Sequence, residues 1–507
     1  PQGSVEPDPA VSAQFLPMAE RARVYADLAS SILPLSGTDA CRFGDIAVSF
    51  DHDPRLTLWL GLLKYEAGQL GPAVEVLSRL PADFPIPAGD AATITSLRGY
   101  ARLWSRRPSI PKLALEDADR ADGGVLLVLD VGDPNAREVA LRVFRLGLAI
   151  AGEGRRVTCV VPAGFPLQEC VERAAGDGLD LAPLSLVQLE SPDDSMAMDA
   201  YLQRFEQRLT VLIKADRPGI VHAVGSYRTA VPAIAVARRL GAGFIYERVE
   251  FSEYSGEARV ADWRSSELFQ LEQALEALVY RHASSVLVGT QRQMDEVPRR
   301  RAGDAINVEQ FPVPARSPCT QERADARTAL GLQAGDRIIG HVDAGDAFDG
   351  LGDVVAAMER GLLQADCLLI MSDGEVSDHA RRLIAGLSPS RVRVMGHMGD
   401  DAMAGAMRAC DAVAFAWRAT AQADLQLSTR MLLAMANGAP VLASSCYAFA
   451  DIAKDGVTAR IFAAGNVESL ARCMSDLLGD PAMAARLGSS AADMVAQAKK
   501  DPGSVTY

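Results

Sequence analysis

From residue 124 onward, short apolar runs alternate with longer amphipathic stretches. The runs are GVLLVLD (124–130), VTCVV (157–161), SLVQLE (185–190), GIVHAV (219–224), FIYERV (244–249) and SVLVGT (285–290). A second series follows: RIIGHV (337–342), DCLLIM (366–371), VRVMG (392–396), DAVAFA (411–416) and PVLASS (440–445). Continuous apolar strands separated by helices of a dozen residues predict parallel sheets covered on both faces. The fold class is therefore α/β, with two Rossmann-like doubly wound domains in tandem over 124–312 and 313–490. Ligands of such sheets bind beyond the carboxyl ends of the strands, which places the expected site between the two domains.

Before residue 105 the pattern is different. Residues 1–14 are rich in Pro and Asp and read as disordered. From 15 to 104 every periodic segment reads as helix. Within it, Leu60, Gly61, Gly68, Ala73, Leu77 and Pro85 fall at the spacings of one tetratricopeptide-like repeat, a helical hairpin whose small residues allow close packing. Lys64 stands where that repeat carries Tyr, and an ordinary helical hairpin explains the segment equally well. One copy cannot bury its own face and needs neighbours. Residues 105–123 form a charged, Pro-containing linker, and 491–507 a tail or crossover whose helix is expected to return toward the first domain.

Composition narrows the partners. Acidic residues number 65 against 51 basic, a net charge of −14, the wrong sign for a nucleic-acid binder. No apolar run reaches 18 residues, so no transmembrane segment is expected, although peripheral membrane association stays open. Eight scattered cysteines without a CxxC pair read as buried thiols of a reducing, cytoplasmic compartment rather than disulfides or zinc ligands. The six histidines form no HExxH, and no metal is expected. The start, PQGSVEPDP, has no basic or apolar region of a signal peptide and reads as a trimmed or mid-chain beginning.

Over 337–490, the order LLIMSDGE, RVRVMGHMGDDAMAGAMRACDAVAFA, MLLAMANGAPVLASS and DIAKDGVTARIFAAGNVESLARCMSDLLGDPAMAARLG resembles the retaining glycosyltransferases of family four. Residues 124–290 match more loosely, through IVHAVGSYRTAVPAIAVARRLGAGFIYERVEFSEY. The resemblance implies the GT-B fold, two Rossmann-like domains facing a cleft, here preceded by an all-helical region.

It also implies a donor site whose residues are largely missing. A nucleotide-sugar donor leaves as a diphosphate, and fixed cations must neutralise its growing charge. The family's Arg and Lys, in the loop after the first C-domain strand, fall on Ala344 and Asp349; GHVDAGDAFDGLGDVV contains no Arg or Lys. The family's two Glu, eight residues apart, fall on Leu425 and Leu433, with Asp424 one position off. Ser428 replaces a Gly, CYAF (446–449) replaces a Gly pair, Asp451 stands for a Glu, and QFPVP (310–314) for an Asn-Gly turn. In the first domain the Gly-rich loop keeps only Gly132, with Asp130 and Asp133 as solvated carboxylates or acceptor ligands. The acceptor-side His motif reads VHAVG, leaving His222 as a weak candidate base beside Val224.

These substitutions point to a glycosyltransferase-like binding or scaffold subunit of glycan or polysaccharide assembly, or of protein glycosylation, without a cofactor. Its partner would be a protein, held through the helical region or the GT-B body. The alternative is an active, divergent retaining glycosyltransferase that takes a nucleotide sugar. Its donor would then meet Gly340, Asp343, Gly374, Arg418, Arg430 and the QRQ at 291–293. A sugar or nucleotide sensor without turnover lies between the two.

Overall fold

A computed structural model describes residues 16–113, 123–129, 136–162, 165–176, 178–189, 196–249, 251–299, 307–310, 321–342, 349–372, 376–396 and 398–498. The N-terminal region is helical as its periodicity predicts. Its helices are α1 (Met18–Ile32), α2 (Gly37–Phe50), α3 (Pro54–Glu66), α4 (Leu70–Leu77) and α5 (Ala88–Ser105). Local chemistry sets their starts. Ser36 accepts the Asp39 N–H, and Asp53 accepts the Arg55 N–H ahead of a Pro at the first turn of α3. Gly61 lets α3 and α4 close on each other, because a Cβ there would sit 2.4 Å from the Leu77 side chain. Gly68 takes the left-handed turn between them at φ 75°. The region is a helical hairpin with helical neighbours; its second helix is only eight residues long.

Two sheets follow. The first orders its strands β3-β2-β1-β4-β5-β6-β7: β1 (Val125–Leu129), β2 (Val157–Val161), β3 (Leu184–Gln188), β4 (Ile220–Gly225), β5 (Gly243–Arg248), β6 (Ser285–Val288) and β7 (Asn307–Gln310). The second runs β10-β9-β8-β11-β12-β13: β8 (Ile338–Val342), β9 (Cys367–Met371), β10 (Val392–Met395), β11 (Ala412–Phe415), β12 (Val441–Ser444) and β13 (Arg460–Phe462). Pairing is parallel from β3 through β6 and throughout the second sheet. The strands β7 (NVEQ) and β13 (RIF) escape the apolar-run reading. Both are short edge strands, where half the backbone meets no neighbour.

The chain divides into two compact units, 1–288 with 296–309, and 289–295 with 310–507. One expectation changes, and another gains detail. The N-terminal helices form one compact unit with the first sheet. Asp262 accepts the Gly37 N–H (2.6 Å), the Thr38 N–H and the Thr38 hydroxyl, so a carboxylate beyond β5 caps α2. Glu267 likewise accepts the Gly71 N–H at the start of α4 (2.7 Å). At Gly99, a Cβ would lie 2.4 Å from the Met198 backbone nitrogen, so α5 lies directly on the helix that leads to β4. The expectation that changes concerns the end of the chain. Helix Pro481–Ala498 runs through residue 490 and stays with the second sheet. Its Gly488 comes so close to the Gly438 turn that a Cβ would meet the Gly438 carbonyl at 2.2 Å, and Ala491 and Val495 enter the second unit's core. Residues 1–15, 499–507 and 114–122 of the linker lie outside the described residues.

Candidate functional site

The second sheet reverses its strand order between β8 and β11, so ligand chemistry is expected at the carboxyl ends of those strands. Asp343, Ala344 and Gly374 lie outside the described residues. Asp349 is described, and its carboxylate is already engaged. It accepts the Leu351 N–H at 2.8 Å, opening the β8–β9 helix (Leu351–Glu359), with His341 Nε2 3.8 Å away. Gly350, at φ 75°, passes so close to the turn after β11 that a Cβ would stand 1.9 Å from the Ala416 carbonyl. Gly340 has similar tightness: a Cβ would meet the Cys410 and Met371 side chains at 2.8 Å. Backbone thus packs on backbone at Gly350 and on side chains at Gly340.

The positions of the carboxylate pair are filled by core. Leu425 is 1% exposed and Leu433 2%, the latter in one cluster with Trp417, Met431, Ala434, Met435 and Phe449. The Trp417 and Phe449 rings meet at a tilt of 43° with centroids 4.8 Å apart, and Cys446 Sγ donates to the Trp417 carbonyl. CYAF, where the family's glycines let backbone meet a donor, therefore contributes side chains to the packing. Ser428, also in place of a glycine, accepts the Met431 N–H and starts the β11–β12 helix (Thr429–Ala436). The carboxylates nearby are spent on backbone: Asp424 accepts the Tyr447 N–H at 2.8 Å and Asp451 the Gln291 N–H at 2.9 Å. Gln293 of the QRQ run donates to the Leu425 carbonyl at 2.6 Å, and Arg292 stacks over the Tyr447 ring.

The two replacement cations behave differently from each other. Arg418 is half exposed and pairs with Asp353 at 3.0 Å, which offsets its charge. Arg430 is 2% exposed, inside the unit rather than at a surface that a donor could reach.

In the first sheet, Asp130, Gly132 and Asp133 lie outside the described residues. His222 sits in mid-strand, opposite Leu127 and Ile245, and is fully buried. Its Nε2 is 3.4 Å from the Glu247 carboxylate, which Arg142 also pairs. Burial pushes the Glu247 carboxyl upward, but Arg142 and His222 outweigh it and bring it down to about 2. A histidine so placed fixes strands to helix and has no open face for a substrate. What sequence reasoning missed lies next to it. Arg248, fully buried, pairs with Glu253 at 2.6 Å and Glu276 at 3.5 Å and lies over the Phe251 ring at 3.8 Å. The signal was present in FIYERVEFSEY, where charged residues interrupt a strand otherwise built for burial.

Comparison with known proteins agrees with the two-sheet fold. The family described as glycosyl transferase 4-like domain matches residues 138–314, and that described as glycosyl transferases group 1 matches 337–480. Both leave the N-terminal helices unmatched. No curated protein matches the chain. Among solved structures, sucrose-phosphate synthase from Thermosynechococcus elongatus is similar at TM-score 0.59 and 18% identity, over 74% of this chain and 94% of that one. HepE from Anabaena, in complex with UDP and glucose, is similar at TM-score 0.57 and 16% identity, over 74% and 95%. At such identities the likeness is one of fold.

Proposed function

We propose that this chain, a glycosyltransferase-like protein of the GT-B fold, does not carry out the family's nucleotide-sugar transfer. It acts instead as a binding or scaffold subunit in glycan assembly or protein glycosylation. The observation that carries the reading is the burial of Leu425 and Leu433 where the resemblance implies two donor-facing carboxylates. Support comes from the groups around them. Asp349, in place of a Lys, opens a helix, and the exposed Arg418 is spent on Asp353. Each donor hydrogen bond that is missing and not replaced costs about 1–3 kcal/mol, and charged ones cost more. The partner is a protein; because α2, α4 and α5 are built into the first unit, it would meet their outer surface rather than a separable module.

Calorimetric titration with a panel of UDP-, GDP- and ADP-sugars, with nucleoside diphosphate release followed in parallel, tests this. No heat and no release are expected at about millimolar donor, a range corresponding to about −4 kcal/mol. Saturable binding with turnover would restore the enzyme reading, and saturable binding without turnover would identify a sensor.

A further inference from the structure

On its N-terminal helices the first unit holds an open pocket of about 510 Å³ that no step of sugar transfer uses. It lies between the end of α1, helix α3 and Arg259, which follows the turn Ser252–Ala258 after β5. Leu33 and Leu63, both buried, form its floor, and the half-buried Trp59 and Leu62 its walls. Glu66 and Arg259 stand exposed at the mouth. A concave site of this size, apolar with a few convergent polar groups, is the usual form of a ligand pocket.

Its polar groups are unspent. Among the described residues, none gives the Trp59 indole N–H, the Glu66 carboxylate or the Arg259 guanidinium a hydrogen-bond or ion-pair partner. Their neighbours are committed. Lys64 pairs with Asp45 at 2.9 Å, Arg264 binds Glu257, and the Ser30 hydroxyl donates to the Ala26 carbonyl at 3.0 Å. The backbone that carries Arg259 is fixed as well. Its N–H donates to the Gly256 carbonyl at 3.0 Å, and the Ala261 N–H to the Pro34 carbonyl at 3.2 Å. A Cβ on Gly256 would meet the Trp263 ring at 2.2 Å, so this segment is tightly seated. The guanidinium starts from a rigid base, which lowers the ordering cost of binding.

The lining selects the ligand's chemistry. Glu66 and Arg259 bring one charge of each sign, and their complement is a ligand with a cation for the first and a carboxylate for the second. A saccharide could stack on Trp59, but hydroxyls turned toward Leu33 and Leu63 would lose their water partners without replacement. An apolar side chain meets no such penalty there and gains by leaving water.

We propose that this pocket binds a peptide segment of a partner protein: an apolar side chain enters against Leu33, Leu63 and Trp59, an acidic side chain meets Arg259 and a basic one Glu66. The site rests on the protein partner proposed above and gives that partner a sequence chemistry.

Fluorescence anisotropy on the full chain, with a panel of labelled, amidated synthetic peptides, tests this. Each peptide carries one Leu or Phe in a Gly/Ser background, with Asp on one side and Lys on the other, in both orders and at varied spacing. At least one should bind saturably below about 1 mM. Trp59→Ala should weaken it about tenfold or more. Arg259→Glu, at an exposed side chain, should fold normally, lose a similar factor and regain it when the peptide's Asp is changed to Lys. No saturable binding by any peptide would overturn the site. So would unchanged binding in Arg259→Glu, a loss that the Lys peptide does not restore, or maltoheptaose bound at Trp59 in place of every peptide. The nucleotide-sugar titration on the same preparation separates the two readings. Donor turnover with peptide binding intact would end the scaffold role and leave the pocket, whereas silence toward donor and peptides alike would end the pocket alone.

Discussion

Replacing Leu433 by Glu restores the residue type that the family resemblance implies at a position that this fold has closed. Leu433 is 2% exposed and belongs to the second unit's buried core, which also holds Met431, Met435 and the Trp417–Phe449 pair. Burying a Leu side chain is worth about 1.5–3 kcal/mol, most of which a carboxylate forfeits. The carboxyl would also have to stay neutral; holding it so at about pH 7, against an ordinary value of about 4.3, costs about 3.7 kcal/mol. The total, about 5–6 kcal/mol, rivals the whole stability of an ordinary domain, about 5–15 kcal/mol. The variant's deficit should also grow with pH. A folded-state carboxyl value above the unfolded one takes up to about 1.4 kcal/mol of stability per unit as pH rises between the two values. Leu433→Ala, with no charge to bury, should cost about 2–5 kcal/mol and show no such slope. Urea unfolding at about pH 5.5 and about pH 7.5, read by hydrogen exchange on peptides of 429–444, measures both variants. A deficit under about 1 kcal/mol for Leu433→Glu, equal at the two pH values, would mean the new side chain reaches water. The position would then line an open site, and the closed-site reasoning would be wrong.

Three further outcomes follow from the same geometry. Glu247, held down to about 2, stabilises the fold fully above the ordinary 4.5 and loses that contribution as pH falls from 4.5 toward 2; Glu247→Gln should flatten this acid limb, worth at most about 3 kcal/mol, in pH-resolved thermal melts. Gly350→Ala combines a left-handed backbone with a Cβ 1.9 Å from the Ala416 carbonyl, so a loss above about 3 kcal/mol by chemical denaturation is expected, and a neutral result would contradict the close approach. Removing residues 1–105 strips the caps' partners from Asp262 and Glu267 and uncovers Met198, so the truncated chain should aggregate or unfold rather than behave as an intact GT-B body; a monodisperse, protected product on size exclusion and hydrogen exchange would refute the single-unit description.

Eleven strands were legible from the sequence because parallel strands covered on both faces must be apolar throughout, and VTCVV or DCLLIM can satisfy little else. The helical character of 15–104 was legible for the matching reason of period, and the absence of Arg and Lys from GHVDAGDAFDGLGDVV needs no coordinates at all. Leu425 and Leu433 could be named as substitutions, but whether they lined a pocket or filled it depends on where Trp417 and Phe449 meet, an arrangement set by residues far apart in the chain. The same limit hid the ties of the N-terminal helices: Asp262 and Glu267 look like ordinary surface acids until the tertiary structure sets the starts of α2 and α4 against them. Hydrophobic period is a property of neighbours along the chain and survives in the string. Which polar group meets which across about 200 residues is decided only when the packed layers bring unsatisfied backbone N–H groups and carboxylates together, since each left alone would cost about 1–3 kcal/mol.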